Sequence, residues 1–413
     1  MSTITLADIH AAHEALRPVI IDTPIVPDDA LSRQLGARIW HKAESLQRSG
    51  SFKVRGAYNA IRNLDDDARR RGVVCNSAGN HAQGVALAAQ MFGVPAVIVM
   101  PEHAPLTKVT ATRGYGAEVV LSGATFDDAG VTARRIQQER NLTFIHAFND
   151  TRVITGQATL GLEIFNALAH ATVVVVPIGG GGLIGGISTA LRLLGSKARI
   201  VGVQAAGCDA VRPSLAAGHP VRAESVRTIA DGIAVKQPGD LTLPIIQRNV
   251  DEVVTVDDDQ IATAITHAAR SLHLVVEGAG AAGLAALMAG LIPLTSDAIV
   301  CNVLCGGNID ANFLSRVLEQ TLVHQGRYIM LRIDVADRPG NLAPLLRVVA
   351  DSGANVVDIF HRRATWLVPI DRVGIELILE VRDHEHGRQV VDTLRQHGYG
   401  VELTGQRPPA GTP

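Results

Sequence analysis

Lys53 stands in the run Ser49-Gly50-Ser51-Phe52-Lys53-Val54-Arg55-Gly56, a turn of hydroxyl residues and glycines where a helical pattern begins. Alone, such a lysine reads as a solvated surface charge, because lysine is rarely buried without a partner. Two distant stretches make it a candidate cofactor anchor. Gly179-Gly180-Gly181-Gly182-Leu183 lies directly between a run of β-branched residues and a helical pattern. Glycines there let several backbone N–H groups converge on one anion, and the helix start adds its partial positive charge. The competing reading is a tight turn at positive φ, which seldom demands four glycines. Ser77-Ala78-Gly79-Asn80-His81 also joins a strand to a helix. Its hydroxyl, its amides and the Asn80 side chain suit a carboxylate clamp, or else a plain helix cap, where Ser and Asn are favoured. His81 by itself reads as structural rather than catalytic.

The type of phosphate follows by elimination. Gly180-x-Gly182-x-x-Gly185 formally matches a dinucleotide fingerprint. That reading needs an acidic residue about twenty positions on, at the end of the next strand, where this chain has Gln204, Ala205 and Ala206. No Gly-Lys-Ser/Thr follows the glycines, which removes a nucleoside-triphosphate loop. A small monophosphate is left.

The elements that must position these stretches alternate. Short apolar runs at 37–39, 73–76, 96–100, 118–121 and 143–146 read as strands, with helices at 54–64, 81–92, 106–113 and 126–140 between them. This alternation is the signature of parallel sheets with crossover helices. Val173 to Val176 is a strand buried on both faces, followed by a helix at 183–194 and a strand at 199–204. Residues 205–250 are rich in Gly, Pro and Arg and give no clear assignment. Regular patterns resume with helices at 260–271 and 281–288, a strand at 298–304 broken by Gly306-Gly307, and a helix at 313–321. After Gln325 the rhythm changes. A strand at 327–335, an Asp337-Arg338-Pro339-Gly340 turn, and Leu342, Leu345, Leu346 and Val349 at helical spacing lead a β-α-β-β-α-β order. Strands at 355–361 and 373–380, a helix at 386–396 and a strand at 400–403 complete a ferredoxin-like unit. The expected domains are 1–322, 327–405 and a loose tail, 406–413.

Composition narrows the partners. At 413 residues the chain is too long for one core. Its net charge of −2 and pI of about 6.7 give no support to nucleic-acid or electrostatic membrane binding. With aromatics at 3%, base-stacking platforms are disfavoured as well. Cys75, Cys208, Cys301 and Cys305 are scattered in a chain with no evident targeting segment, which fits a reducing cytosol. Cys301 and Cys305 lack zinc-knuckle spacing and read as residues on one face of a strand. The charge-free run from Gly278 to Ser296 is mostly Ala and Gly and reads as a helix buried against a sheet, not a membrane span. Asp383-His384-Glu385-His386 reads as a solvated helix start; no metal site is expected.

Lys42-Ala43-Glu44 with Gly50 to Ala57, Ser77 to Gly84, the tetraglycine loop, Glu277-Gly278-Ala279-Gly280 and Cys305-Gly306-Gly307-Asn308 together resemble the threonine/serine dehydratase family. These are pyridoxal-phosphate enzymes of the tryptophan-synthase-β fold type, and the likeness runs from about residue 5 to 320. The part from Arg327 resembles an ACT domain through its Asp-x-Pro-Gly turn. The resemblance implies an α/β, two-lobed parallel-sheet fold with a βαββαβ ACT domain appended. It implies pyridoxal 5'-phosphate as cofactor, an amino-acid substrate, a branched-chain amino-acid effector at the ACT domain, and a homo-oligomer, dimer or tetramer.

Carried over by residue, Lys53 would bind the cofactor aldehyde covalently and later act as the base at Cα, and Phe52 would lie against the ring. Asn80 would meet the ring hydroxyl, and Gly179, Gly180, Gly181, Gly182 and Leu183 would hold the phosphate. Cys305 would sit beside the ring nitrogen, a neutral partner that suits prompt β-elimination. Ser77, Gly79, Asn80 and His81 would hold the substrate carboxylate. The implied reaction takes L-threonine, L-serine or another β-hydroxy amino acid to a 2-oxo acid and ammonia, with racemisation, or dehydration of hydroxyaspartate or phenylserine, as alternatives. A catalytically silent amino-acid-binding regulator is the alternative of another class. Departures bear on these choices. Racemases of the superfamily carry a second Ser where Ala78 stands, and a metal site of acidic residues where Gln204 and Ala210 stand. Ser45 and Ser49 replace the usual Asn and Thr, and 147–149 and 156–159 differ from the family in loops expected to line the substrate end.

Overall fold

A computed structural model describes residues 4–362 and 371–404 of the chain. The expected tail at 406–413 lies outside these residues. Two compact units are present, Met1–Ala311 and Asn312–Pro413. The helix Ala311–His324 therefore falls almost wholly in the second unit.

The first unit carries β1 (Ile25–Pro27), β2 (Arg38–Lys42), β3 (Val73–Asn76), β4 (Ala96–Met100), β5 (Glu118–Leu121), β6 (Thr143–Phe144), β7 (Val173–Pro177), β8 (Arg199–Ala205), β9 (Glu252–Val256) and β10 (Ile299–Val303). They form two sheets, one to each lobe. The smaller sheet is parallel in the order β5-β4-β3-β6. The larger runs β1-β2-β10-β7-β8-β9 and is parallel except for the β1–β2 pair. Both have crossover helices on their faces, so their central strands are apolar without alternation. In β4, Ala96, Ile98 and Met100 join the core on one face, while Val97 and Val99 join that on the other. β7 is buried throughout.

The second unit has β11 (Tyr328–Ala336), a helix (Leu342–Asp351), β12 (Asn355–Arg362), β13 (Arg372–Glu380), a helix (His384–Gln396) and β14 (Gly400–Thr404). Its antiparallel order is β12-β13-β11-β14, the expected ferredoxin-like βαββαβ arrangement. Leu345 and Val349 of the first helix and Val390 and Leu394 of the second are fully buried against alternate residues of β11 and β13. At the acidic helix start, Asp383 accepts from the His386 amide at 2.8 Å, and His386 Nε2 bonds the Ser352 carbonyl at 2.8 Å. That run is a helix cap.

Two expectations need correction. Gly156-Gln157-Ala158-Thr159 is not a loop but the buried middle of the helix Thr151–Ala167. That helix is buried on nearly every side and carries Gly156 and Gly161. Both glycines permit close packing: a Cβ on Gly156 would lie 2.5 Å from the Arg55 carbonyl oxygen, and one on Gly161 would lie 2.7 Å from that of Ile187. Cys301 and Cys305 do not share a strand. Cys301 is inside β10, and Cys305 lies past its end, in the loop that Gly306 and Gly307 continue. The unassigned stretch 205–250 holds the helices Val211–Ala217 and Thr242–Asn249. The Ala/Gly-rich run contains the buried helix Gly278–Met288, and no helix among the described residues is long and apolar enough to cross a membrane.

Candidate active site

Parallel sheets place their loops at the carboxyl ends of the strands, and ligands bind there. The loops after β3, β7 and β10 all open on one cavity of about 1100 Å³ between the two lobes of the first unit. Phe52, Lys53, Ser77, Gly79, Asn80, His81, Gly179, Gly180, Gly181, Gly182, Leu183 and Cys305 all line it. The candidate residues chosen from sequence thus meet in one place, across more than 250 residues of chain.

Four helices begin at this cavity: Lys53–Arg62, Asn80–Phe92, Gly182–Leu193 and Gly278–Met288. In none of them does a side chain cap the first turn. The first amides of a helix have no intrahelical acceptor, and their partial positive charge favours an anion. Four such ends facing one space suit a ligand with several negative groups. Among the loop glycines only Gly181 has a positive φ, at 93°. The others are needed for close approach. A Cβ on Gly180 would run into the ring of Phe148, and one on Gly182 would lie 2.8 and 2.9 Å from Cβ and Cα of Phe148. The tight-turn reading therefore accounts for one glycine of the four. The Gly180 carbonyl is tied back by the Thr242 hydroxyl at 2.6 Å, which fixes the loop.

The lysine turn is held from two sides. Phe52 N donates to the Cys305 carbonyl at 3.2 Å, and Gly307 N to the Gly50 carbonyl at 2.9 Å. Ser51 pairs with Gly306. Two residues past Lys53, Arg55 is completely buried and donates to Glu44 at 2.8 and 2.9 Å and to Glu163 at 2.6 and 2.9 Å. Lys42 reaches Glu163 at 2.8 Å and the Thr23 carbonyl at 2.6 Å. Two cations and two carboxylates therefore balance beneath the first turn of the lysine helix, a condition for keeping charge out of water. Lys53 Nζ itself has only a long contact, 3.5 Å to the Ala147 carbonyl, and lies 5.2 Å from the centre of the Phe52 ring. Burial pushes its ammonium below the usual lysine range, while Cys305 and Glu277 pull the other way. An amine so placed spends more time neutral.

Ser77 Oγ accepts from Gly79 N at 3.2 Å and so shapes the loop instead of capping the helix. His81 Nε2 bonds the Ile145 carbonyl at 2.9 Å. Burial, then the charge of Lys53, holds its imidazole down to about 3, so the ring is neutral and carries its proton on Nε2. That is a structural role. The Cys305 thiol is pushed above its usual range by burial and by Glu277, and is therefore neutral. Asn80 makes two contacts at once: Nδ2 donates to Glu277 Oε1 at 2.5 Å, and Oδ1 accepts from Asn308 Nδ2 at 2.7 Å.

Several residues of this cavity were not marked as site residues in the sequence. Glu277 stands directly before the buried Ala/Gly helix without capping it, and its being the one Asp, Glu, Lys or Arg between Arg270 and Asp297 is the signal the sequence offers. Phe148 fills the glycines, and no pattern in sequence marks it. At the rim, Lys108 pairs with Asp231 at 2.6 Å, and Asp127 pairs with Arg222 at 2.6 Å and Lys236 at 2.9 Å. Both latches cross from one lobe to the other. Of the residues that depart from the family, Ala78 and Ala147 line the cavity, whereas Ser45, Ser49, Asn149 and Ala158 do not. Gln204 accepts from Val211 N at 2.9 Å, inside the large lobe.

Residues 16–306 match the family described as pyridoxal-phosphate dependent enzyme. The chain is 47% identical over 402 residues to the L-threonine ammonia-lyase of Thermotoga maritima, covering 97% of this chain and all of that one. It is similar to the processed form of threonine deaminase isoform 2 from Solanum lycopersicum, at 37% identity and TM-score 0.72, over 76% of this chain and 91% of that one. Maize serine racemase is also similar, at 35% identity and TM-score 0.73, over 78% and 98%.

Proposed function

The chain belongs to the pyridoxal-phosphate-dependent enzymes of the threonine dehydratase family, and we propose that it is an L-threonine ammonia-lyase. The observation that carries this reading is the meeting of a buried, weakly partnered Lys53 amine with an uncapped glycine loop in one cavity. The residues present fit the cofactor. Gly179 to Leu183 would offer amides to its phosphate, Lys53 would anchor its aldehyde, and Phe52 and the neutral thiol of Cys305 would serve its ring. When bound, pyridoxal phosphate supplies an electron sink next to the substrate α-carbon. The amides and hydroxyl of Ser77 to Asn80 hold the substrate carboxylate at a helix start. Lys53 Nζ, shifted toward its neutral form by burial, would take the proton from Cα once the substrate amine has displaced it from the aldehyde. The β-hydroxyl would leave as water by taking up the proton that Lys53 removed from Cα, and one water added back to the unsaturated product would release ammonia, so that threonine gives 2-oxobutanoate plus ammonia.

Ala78 offers no hydroxyl to a second face of the substrate, which supports elimination over racemisation. L-Serine and other β-hydroxy amino acids are competing substrates. The ferredoxin-like unit is the proposed seat of control by a branched-chain amino acid such as isoleucine or valine. The working form is a homo-oligomer in a reducing cytosol, in keeping with four buried, unpaired cysteines.

The test is a panel of β-hydroxy amino acids assayed for 2-oxo acid, ammonia and D-amino acid, with Lys53→Ala beside the wild type. Threonine turnover, lost in the variant together with the long-wavelength absorption of the bound cofactor, is expected. A colourless protein that ignores added pyridoxal phosphate would support a silent regulator instead.

A further inference from the structure

Glu277 is 4% exposed, and what exposure it has is to the cavity. Its amide donates to the Gly306 carbonyl at 3.0 Å, and its carboxylate occupies the space where a side chain on Gly306 would be. The hydrogen bonds around it can be oriented without ambiguity. Asn308 Nδ2 lies 2.7 Å from the Ser49 carbonyl, which only accepts, so that end of Asn308 is the amide nitrogen. The same nitrogen lies 2.7 Å from Asn80, whose facing atom must therefore be its oxygen. The Asn80 nitrogen is then turned to Glu277, at 2.5 Å. One backbone carbonyl in the lysine turn thus fixes a chain of three side chains that ends on a buried carboxyl.

We propose that Glu277 is a positioning residue of this active site: it holds one hydrogen of the Asn80 amide in the orientation that the Ser49 carbonyl sets through Asn308, and by gaining or losing one proton it sets the charge that Lys53 feels. This rests on the reading of the cavity as a pyridoxal-phosphate site. The second hydrogen of Asn80 Nδ2 remains for the cofactor while the first is held by Glu277. The charged groups facing Glu277 are Asp231 with its partner Lys108 at the rim, and Lys53; Cys305 beside it is neutral. Burial and Asp231 push its carboxyl up to about 7, against the hydrogen bond from Asn80 and the charges of Lys108 and Lys53. Glu277 is therefore neutral below neutrality and negative above it. In the negative form it favours the ammonium of Lys53.

The experiment compares wild type, Glu277→Gln and Asn308→Ala from pH 6 to 8.5. Three readouts are used: the visible absorption of the loaded protein, the Kd of the stripped protein for pyridoxal phosphate, and kcat/KM for threonine. In the wild type a transition near pH 7 is expected in absorption and in kcat/KM. Glu277→Gln keeps the acceptor for Asn80, so binding should stay within about three-fold while the transition disappears. Asn308→Ala should keep the transition and weaken binding roughly ten-fold, the effect of one lost orienting hydrogen bond. The same transition in Glu277→Gln as in the wild type would overturn the proposal. So would a wild type with no transition over this range, which decides the matter even if the variant does not fold. A wild type that binds no pyridoxal phosphate overturns the functional reading itself; one that binds it but shows no transition overturns only the role of Glu277.

Discussion

Replacing Gly182 with alanine tests the phosphate cradle where the structure is least forgiving. The new Cβ would sit 2.8 Å from Cβ, 2.9 Å from Cα and 3.3 Å from the carbonyl oxygen of Phe148. Carbon atoms rest at about 3.5–4.0 Å, so one backbone or the other must move by roughly 1 Å. Phe148 cannot easily yield. Its amide and that of Asn149 donate to His146 Nδ1 at 3.2 and 2.9 Å, and its ring packs edge-on to His146 at 4.6 Å between centroids. The glycine loop is then the part that shifts. Overpacking of this kind costs about 1–3 kcal/mol of stability. Displacing one amide from a charged phosphate costs about 1.5–3 kcal/mol more in binding, or roughly 10- to 150-fold in Kd. Gly185→Ala is the control, three residues along the same helix, where the nearest atom to a Cβ is 3.7 Å away on Ile245. There alanine should stabilise by about 0.5–1 kcal/mol through lower chain entropy. Both variants are measured by titrating stripped protein with pyridoxal phosphate and by urea unfolding. Equal affinity and equal midpoints for the two would show that the loop does not need its glycine at Gly182, and the cradle reading would fall with it.

Arg55→Met should cost about 3–5 kcal/mol in urea unfolding, because buried Glu44 then loses its ion-pair partner while Lys42 stays with Glu163; a loss under about 1 kcal/mol would mean that water already reaches the cluster. Stability should fall as pH drops below 6.5. His81 and His146 are held down to about 3 and about 4 in the fold, so between those values and 6.5 the unfolded chain binds the extra protons. Each ring should cost about 2 kcal/mol by pH 5, and an unchanged urea midpoint between pH 7 and 5 would contradict their burial. Truncation after Gln325 should leave threonine turnover in place and abolish any response to isoleucine or valine; a truncated enzyme still sensitive to them would move the effector site out of the second unit.

The parts of the fold legible in the sequence were those with a local cause. β3, β4 and β5 are short β-branched runs between polar stretches, and their ends fall where the pattern changes. The site was legible for a similar reason, since each of its loops joins a strand to a helix and carries residues with few other uses. What escaped was set by contacts distant in sequence. The helix Thr151–Ala167 is buried on nearly all sides, so it shows no polar face, and its glycines are explained only by Arg55 and Ile187 lying against them. Phe148 and Glu277 owe their roles to the glycines they fill, Gly180 and Gly306.

The electrostatics explain why this cavity holds just one carboxylate deep inside. Four helix starts make the space favourable to anions before any ligand arrives, and Lys53 adds to this whenever it is protonated. A dianionic phosphate and a substrate carboxylate would then be bound by charge alone, with little control over the lysine. A fully ionised acid on the floor would cancel part of that attraction and hold Lys53 as an ammonium, unable to take a proton. Glu277 avoids both extremes because burial and Asp231 keep it near its own titration point, at about 7. Asp231 is itself paired with Lys108, which comes from the opposite lobe at 2.6 Å. Breaking that pair with Lys108→Met leaves Asp231 unneutralised beside Glu277 and should raise the carboxyl further. The pH transition of the loaded protein would then move up, although Lys108 lies at the rim. No shift, or a shift downward, would show that the rim and the floor are not coupled.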